Sequence, residues 1–227
     1  IRRFLQHPLT EVNAFDLGVN SYYFAGASDS VIYLGNYTAP LVLTGIDTAL
    51  TAVAVQMLRP DNTDLPFRSI QVQVRPPRFY LYDGYVPVIF RGRTGSPDAR
   101  VISLGDCYFS QLQAVDSADF LFRAQSSSTR VQVLGRLSLH HEPVIRIDNT
   151  LLVKQVDGMF DTDGQLLRDD VTGEFVYIYT YRNEFMVIDS GLNLLRRLHT
   201  IDTITHAQVR VHTLADGTHK MDAPPVK

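Results

Sequence analysis

Several residue types and patterns are scarce in this chain, and each absence excludes a class of structure or function. The 227 residues include one cysteine, Cys107, so neither an internal disulfide framework nor a cysteine-rich zinc site can form. Tryptophan is absent, which weakens the case for the stacking platform typical of sugar-binding sites. No apolar run reaches the roughly 18 residues that a membrane-spanning helix needs, so the sequence predicts no such segment.

Concentrated positive charge and known catalytic motifs are also missing. The formal net charge is −3 at pH 7, and the Lys and Arg residues are dispersed. Nucleic acid is therefore not predicted as a partner, because its binding requires a basic surface that neutralises phosphates. The sequence contains no Gly-x-Ser-x-Gly elbow, no phosphate-binding loop and no His-Glu-x-x-His motif. These absences favour a role other than catalysis.

The sequence does contain a repeated pattern of short strands. An aromatic or β-branched strand, a turn, a second apolar strand and a third strand recur four times, over 31–55, 79–104, 120–147 and 175–198. Several strands per period of about 40 to 50 residues are typical of a β-propeller. We therefore predict an all-β fold, a β-propeller with four to five blades visible that forms part of a six-bladed ring.

A propeller blade needs a fourth strand, and an apolar segment before each copy is a candidate for it. The candidates are 22–25, 70–74, 108–112, 159–161 and 207–211. The last one has no complete blade after it, and an unpaired strand edge is normally avoided. We predict one β-propeller domain over residues 1–227 that is incomplete at its C-terminus, with about one or two further blades beyond Lys227. The N-terminal segment 2–5 is expected to pair with the last blade.

Short glycine-containing pairs mark the predicted turns. Each pair separates two apolar runs, as a hairpin requires: Asp83-Gly84, Asp163-Gly164, Ser190-Gly191 and Asp216-Gly217. Glycine readily adopts the positive φ angles of tight reversals. We predict hairpin turns with positive φ at Gly84 and Gly164.

Two groups of residues have the chemistry of metal ligands. Asp161 and Asp163 resemble part of a calcium loop, but the Glu that an EF-hand requires is not in place, so a plain hairpin turn is favoured over calcium. No other cofactor is predicted. His140-His141-Glu142 combines imidazole and carboxylate ligands, yet adjacent residues of a strand point to opposite faces, which favours a solvated turn.

An alternating aromatic strand at the start of the fourth repeat ends in a cationic residue. Tyr179, Tyr181 and Arg182 are the candidate ligand-binding residues, because such a group at a propeller mouth could bind a peptide or a glycan. Packing of the aromatic rings in the core is the favoured alternative.

Three stretches resemble a known family. Segments 33–40, 157–164 and 177–183 are similar to six-bladed TolB-like β-propellers of Bacteroidota. The resemblance implies an exported protein, periplasmic or membrane-anchored, and it supplies no catalytic residues.

The sequence thus favours a non-enzymatic binding or scaffold subunit of a bacterial cell-envelope complex, with protein partners in an envelope or outer-membrane assembly. The alternative is a metal-dependent lactonase-like or other hydrolase, with its metal held in the central channel by carboxylates or imidazoles.

Overall fold

The computed structural model describes residues 11–140, 144–215 and 219–222, and every regular element within these ranges is a β-strand. The described residues divide into two compact units, one comprising 11–65, 70–82 and 89–101 and the other comprising the remainder. In this part of the chain no helix has the length and hydropathy to cross a membrane. A single domain over 1–227 stays a prediction.

The first unit contains the first blade and most of the second. Blade 1 is an antiparallel sheet whose four strands pair in chain order: β1 Tyr22–Ala27, β2 Val31–Asn36, β3 Val42–Asp47 and β4 Val53–Met57. Blade 2 has the same arrangement with one additional short strand, which runs parallel to its outermost strand: β5 Arg59–Pro60, β6 Gln71–Arg75, β7 Arg78–Asp83, β8 Val88–Arg93 and β9 Asp98–Leu104.

The second unit contains the third and fourth blades and a short hairpin. Blade 3 consists of β10 Gln111–Ala114, β11 Asp119–Gln125, β12 Gln132–Ser138 and β13 Val144–Asp148. Blade 4 consists of β14 Gly164–Arg168, β15 Phe175–Tyr179, β16 Glu184–Ile188 and β17 Leu194–His199. The hairpin pairs β18 Val211–Thr213 with β19 His219–Met221. Four sheets with strands in chain order are propeller blades, so the predicted β-propeller fold is confirmed with four blades.

Burial within a blade depends on the position of the strand. Six of the seven residues of β11 are buried, and they include the apolar run Phe120–Phe122 as well as the charged Asp119 and Arg123. The outermost strand of the same blade, β13, exposes Val144, Ile145 and Ile147. The core of the second unit forms where β11 and β12 meet blade 4, around Leu121, Leu134, Phe175, Tyr177 and Met186.

Side-chain amides join the innermost strands of blades 3 and 4. Gln111 Nε2 donates to the Gly164 carbonyl at 2.9 Å, and Gln111 Oε1 accepts from the Leu166 amide at 2.7 Å. Gln113 Nε2 donates to the Leu166 carbonyl at 3.0 Å. These bonds satisfy backbone groups of β14 that have no neighbouring strand on that side. The sequence signal for them is a glutamine at alternate positions of an innermost strand.

Two of the predicted innermost strands are wrong. Residues 159–161 form turns, and the innermost strand of blade 4 begins at Gly164. Of 207–211 only Val211 lies in a strand, although Ala207 and Val209 are buried. The candidates 22–25 and 70–74 are confirmed as β1 and β6, and 108–112 overlaps β10 only at its end.

The positive φ predicted at Gly84 and Gly164 is also wrong. Neither glycine has φ in the left-handed region, and Gly164 begins a strand instead of closing a hairpin. Both positions require glycine for lack of space. A Cβ on Gly84 would clash with the Phe109 carbonyl oxygen, and a Cβ on Gly164 would clash with that of Ile178. The Asp216-Gly217 turn, the N-terminal segment 2–5 and the pair His141-Glu142 lie outside the described residues.

Candidate functional site: the loops of the fourth blade

Four of the five candidate residues from the sequence fall in two loops at one end of blade 4, and the fifth, Tyr179, ends β15 at that same end. Asp161 and Asp163 lie in the loop that precedes β14, and Tyr181 and Arg182 lie in the loop between β15 and β16. The loops meet where the Thr180 amide donates to the Asp163 carbonyl at 2.9 Å. The antiparallel pairing of β14 with β15 places both loops at the same end of the sheet.

Arg182 is buried under the loop that precedes β14. Its guanidinium carbon lies 3.6 Å from the centre of the Tyr179 ring, a cation–π contact. Arg182 Nη1 donates to the Val153 carbonyl at 2.9 Å, and Nη2 lies 3.5 Å from Glu184 Oε1. That carboxylate also accepts from Arg197 at 2.7 Å, so two cations share one anion.

Three polar atoms of this cluster have no hydrogen-bond partner among the described residues. They are Arg182 Nε, Arg182 Nη2 and Tyr179 Oη. Two neighbouring guanidinium N–H groups can hold a carboxylate with parallel hydrogen bonds, so this edge could accept an anionic group or a water molecule. Tyr179 is 3% exposed and Arg182 is 4% exposed, so neither side chain is open to a ligand from solvent in this conformation. Tyr181 is half-buried nearby, and ligand binding by the three residues stays a prediction.

The Asp161 carboxylate shapes the loop that precedes β14. It accepts hydrogen bonds from four consecutive backbone amides, those of residues 155 to 158. Burial alone would raise the pKa of Asp161, but the hydrogen bonds that it accepts outweigh burial and lower the pKa below its usual value. Four N–H donors occupy the lone-pair sites of a carboxylate, so this geometry favours a structural role.

Asp163 is also paired with a donor. Its Oδ1 lies 2.5 Å from Arg123 Nη1, which donates as well to the Gly164 carbonyl at 2.7 Å. Within the described residues no third ligand side chain completes a metal group with Asp161 and Asp163. Calcium at these residues and a metal-dependent hydrolase both stay predictions.

A second feature, which the sequence interpretation missed, is an exposed aromatic surface in the second unit. Tyr85 is 69% exposed and Tyr108 is 68% exposed. They lie in the loops that follow β7 and β9, and the half-exposed Leu104 leads into the second of these loops. We define these three residues as the Tyr85 patch. An aromatic residue directly after the Asp83-Gly84 pair is the signal that could have identified it.

Comparison with known proteins bears on the fold. No protein-family model matches the chain, and no curated protein matches it. The chain is similar to the crystal structure of a nidogen/laminin complex at 11% identity and a TM-score of 0.50, over 85% of this chain and 70% of that one. At this identity the likeness shows the fold alone, and it agrees with the propeller arrangement of the sheets.

A second solved structure is similar at a lower level. It is the dihydro-heme d1 dehydrogenase NirN in complex with DHE, with 19% identity and a TM-score of 0.39. The match covers 82% of this chain and 38% of that one, and a score this low supports no structural conclusion.

Proposed function

We propose that this protein is a non-enzymatic β-propeller subunit that binds a protein partner in a bacterial cell-envelope complex. The observation that carries the proposal is the Tyr85 patch, since large exposed apolar and aromatic side chains grouped on loops are typical of protein interfaces. Tyrosine is also enriched among the residues that contribute most of the binding energy.

The backbone beneath the patch is held by an unusually complete set of hydrogen bonds. The buried Asp83 carboxylate accepts from the amides of Arg68 and Ser69 at 2.6 and 2.7 Å. It also accepts from the amides of Tyr85 and Val86 at 2.9 and 3.1 Å. A loop held in this way presents its aromatic side chain with little ordering entropy left to lose on binding.

The two loops that carry the tyrosines are also bonded to each other. The Gly105 amide donates to the Pro87 carbonyl at 2.8 Å, and the Phe109 amide donates to the Gly84 carbonyl at 3.4 Å. These bonds join the backbones of the two loops. The proposal is that one partner covers both tyrosines.

The cellular setting is part of the proposal. The resemblance to TolB-like propellers of Bacteroidota supports an exported protein, periplasmic or membrane-anchored, in an envelope or outer-membrane assembly. The similar nidogen/laminin structure is a complex of proteins, which agrees with a propeller that binds proteins.

The test is partner capture that depends on the patch. The tagged protein is isolated in mild detergent from envelopes of its source cells, and co-purifying proteins are identified by mass spectrometry. The affinity of the purified partner is then compared for the wild type and the Tyr85→Ser/Tyr108→Ser variant, with Val171→Ser as the control. Val171 is 95% exposed and lies in the β14–β15 turn, at the other end of blade 4 from the candidate loops.

We expect the double variant to bind at least about tenfold more weakly, because two interface aromatic residues are lost, and the control to bind as the wild type does. Unchanged far-UV circular dichroism shows that the variants remain folded. A protein that is monomeric without any co-purifying partner, or equal affinity of wild type and double variant, would refute the proposal.

A further inference from the structure

The chain carries a group of metal-ligand side chains at one end of blade 3, away from both sites above. Asp116 lies in the turn between β10 and β11, Asp119 begins β11, and His140 follows β12. One ligand atom from each of the three side chains lies within 4.8 Å of the other two. The two chain segments are also bonded directly, because the Leu139 amide donates to the Ala118 carbonyl at 2.9 Å.

Asp119 is the buried member of the group. Its Oδ2 lies 3.0 Å from His140 Nε2 and 3.0 Å from Arg136 Nη2. The side chain is 5% exposed, and no described residue has the distance and angles of a hydrogen bond to its other oxygen, Oδ1. Burial alone would raise the pKa of Asp119, but the side chains of Ser138, which lies opposite it in the sheet, Arg136 and His140 outweigh burial and lower the pKa. A buried carboxylate oxygen without a partner is unfavourable, so an additional ligand at Oδ1 would stabilise the folded chain. A cation satisfies a carboxylate oxygen directly.

The other two side chains are open to solvent. Asp116 Oδ1 accepts from the amides of Ala118 and Asp119 at 2.8 and 2.9 Å, which holds the carboxylate in the turn beside Asp119. The His140 side chain is 55% exposed. An ion can therefore reach Asp116 and His140 from solvent, which distinguishes this group from the buried Arg182 cluster.

We propose that Asp116, Asp119 and His140 bind one divalent transition-metal ion, with Zn²⁺ as the ion of choice. Asp119 contributes Oδ1, Asp116 contributes a carboxylate oxygen, His140 contributes Nε2, and water completes the tetrahedral set. An imidazole ligand selects zinc and its neighbours over calcium and magnesium, which prefer oxygen alone. Metal binding requires the His140 proton on Nδ1, so the ion would replace the contact between Nε2 and Asp119 Oδ2.

The Arg136 guanidinium is the opposing charge at this site. It contacts Asp119 through Oδ2 only, so Oδ1 remains for the metal. Its side chain is 34% exposed, which leaves it room to move outward from an incoming cation. A bound ion would link the β10–β11 turn to the segment after β12. This metal site does not depend on the proposed function in protein binding.

The test is calorimetric titration of the whole protein with ZnCl₂, with CaCl₂ as a second probe. Two variants remove one ligand each. Asp116→Asn keeps the side-chain oxygen that accepts the two turn amides, and His140→Gln keeps a polar group opposite Asp119. His206→Gln is the matched control, because His206 is exposed and lies outside the group.

We expect saturable binding of about one Zn²⁺ per chain, a rise in Tm on adding Zn²⁺, and no comparable binding of Ca²⁺. Both ligand variants should bind Zn²⁺ at least about tenfold more weakly, while the control binds as the wild type does. Lack of Zn²⁺ binding by the wild type overturns the proposal. Wild-type affinity in both ligand variants also overturns it, because the ion is then held elsewhere.

Discussion

At the scale of single residues, the carboxylate of Asp161 accepts the backbone hydrogen bonds that a neighbouring strand would otherwise accept from the loop before β14. It accepts from four amides, and the neighbouring Asp157 carboxylate accepts from the amides of residues 159 to 161. We expect Asp161→Asn to lower the free energy of unfolding by about 1–3 kcal/mol, because an amide NH₂ then faces N–H donors. Urea denaturation measures the loss. Asp29→Asn, at an exposed position, should cost close to nothing, and an equal effect of the two changes would contradict the structural role.

Substitutions at Gly84 and Gly164 can show whether glycine is required there because a Cβ would clash or because the backbone needs a positive φ. A Cβ at either position meets a backbone carbonyl oxygen, which cannot move aside as a flexible side chain can. We expect Gly84→Ala and Gly164→Ala to cost about 1–3 kcal/mol each, and the Asn substitutions to cost at least as much. At a position that needed positive φ, Asn would be tolerated better than Ala. If thermal unfolding shows the Asn variant to be more stable than the Ala variant at either position, a positive φ is needed there after all.

Two neighbouring tyrosines allow a matched comparison inside the candidate site. Tyr177 Oη donates to the Thr162 carbonyl at 2.7 Å, whereas Tyr179 Oη has no partner among the described residues. We expect Tyr177→Phe to cost about 1–2 kcal/mol and Tyr179→Phe to be neutral or slightly stabilising. The free energies of unfolding of the two variants are measured by chemical denaturation. A clear loss in Tyr179→Phe would show that its hydroxyl has a partner, such as a bound water or anion.

At the scale of elements, the contact between blades 3 and 4 depends on Gln111 as well as on apolar packing. Its amide satisfies a carbonyl and an N–H of β14 at once. We expect Gln111→Met to cost about 2–4 kcal/mol, because two buried backbone groups lose their partner, and to speed hydrogen exchange at the Leu166 amide. Gln125→Met is the control, since Gln125 is exposed and bonds only within its own hairpin loop. Equal unfolding free energies for both variants would show that the amide bridge contributes little.

At the scale of the whole molecule, aspartate carboxylates in turns make the free energy of unfolding depend on pH in the acidic range. Hydrogen bonds to the charged form lower the pKa of several aspartates, namely Asp47, Asp83, Asp148, Asp161, Asp169 and Asp189. A lowered pKa in the folded state means that the stabilisation is complete above the unfolded pKa of about 3.9 and is lost as pH falls below it.

We therefore expect the urea midpoint of unfolding to change little from pH 8 to pH 5 and to fall steeply below about pH 4. The Asp161→Asn variant lacks one of these carboxylates, so its midpoint should fall less over the same acid range. A midpoint that is constant down to pH 3, or an identical fall in the variant, would contradict the lowered pKa values.

The sequence predicted the strands well where apolar residues form a continuous run, as in β15 and in residues 120–122 of β11. It failed where side chains, and not the backbone pattern, decide the conformation. Residues 159–161 look like a short apolar strand, but the carboxylates of Asp157 and Asp161 bind the local amides and hold the segment in turns. Gly164 looks like a turn residue because it follows an aspartate, yet the carbonyl of Ile178 in the neighbouring strand is what requires glycine there.

The sequence by itself determined the all-β class and the four blades, because the period of hydrophobicity within a strand and the spacing of strands are local properties of the chain. Only the tertiary structure decided which side chains meet. Asp119 and His140 are 21 residues apart and come together because β11 and β12 pair antiparallel with Asp119 opposite Ser138. Arg182 is buried because a loop some 30 residues earlier supplies the Val153 carbonyl over it. Contacts of this kind depend on register and loop path, which no local pattern contains.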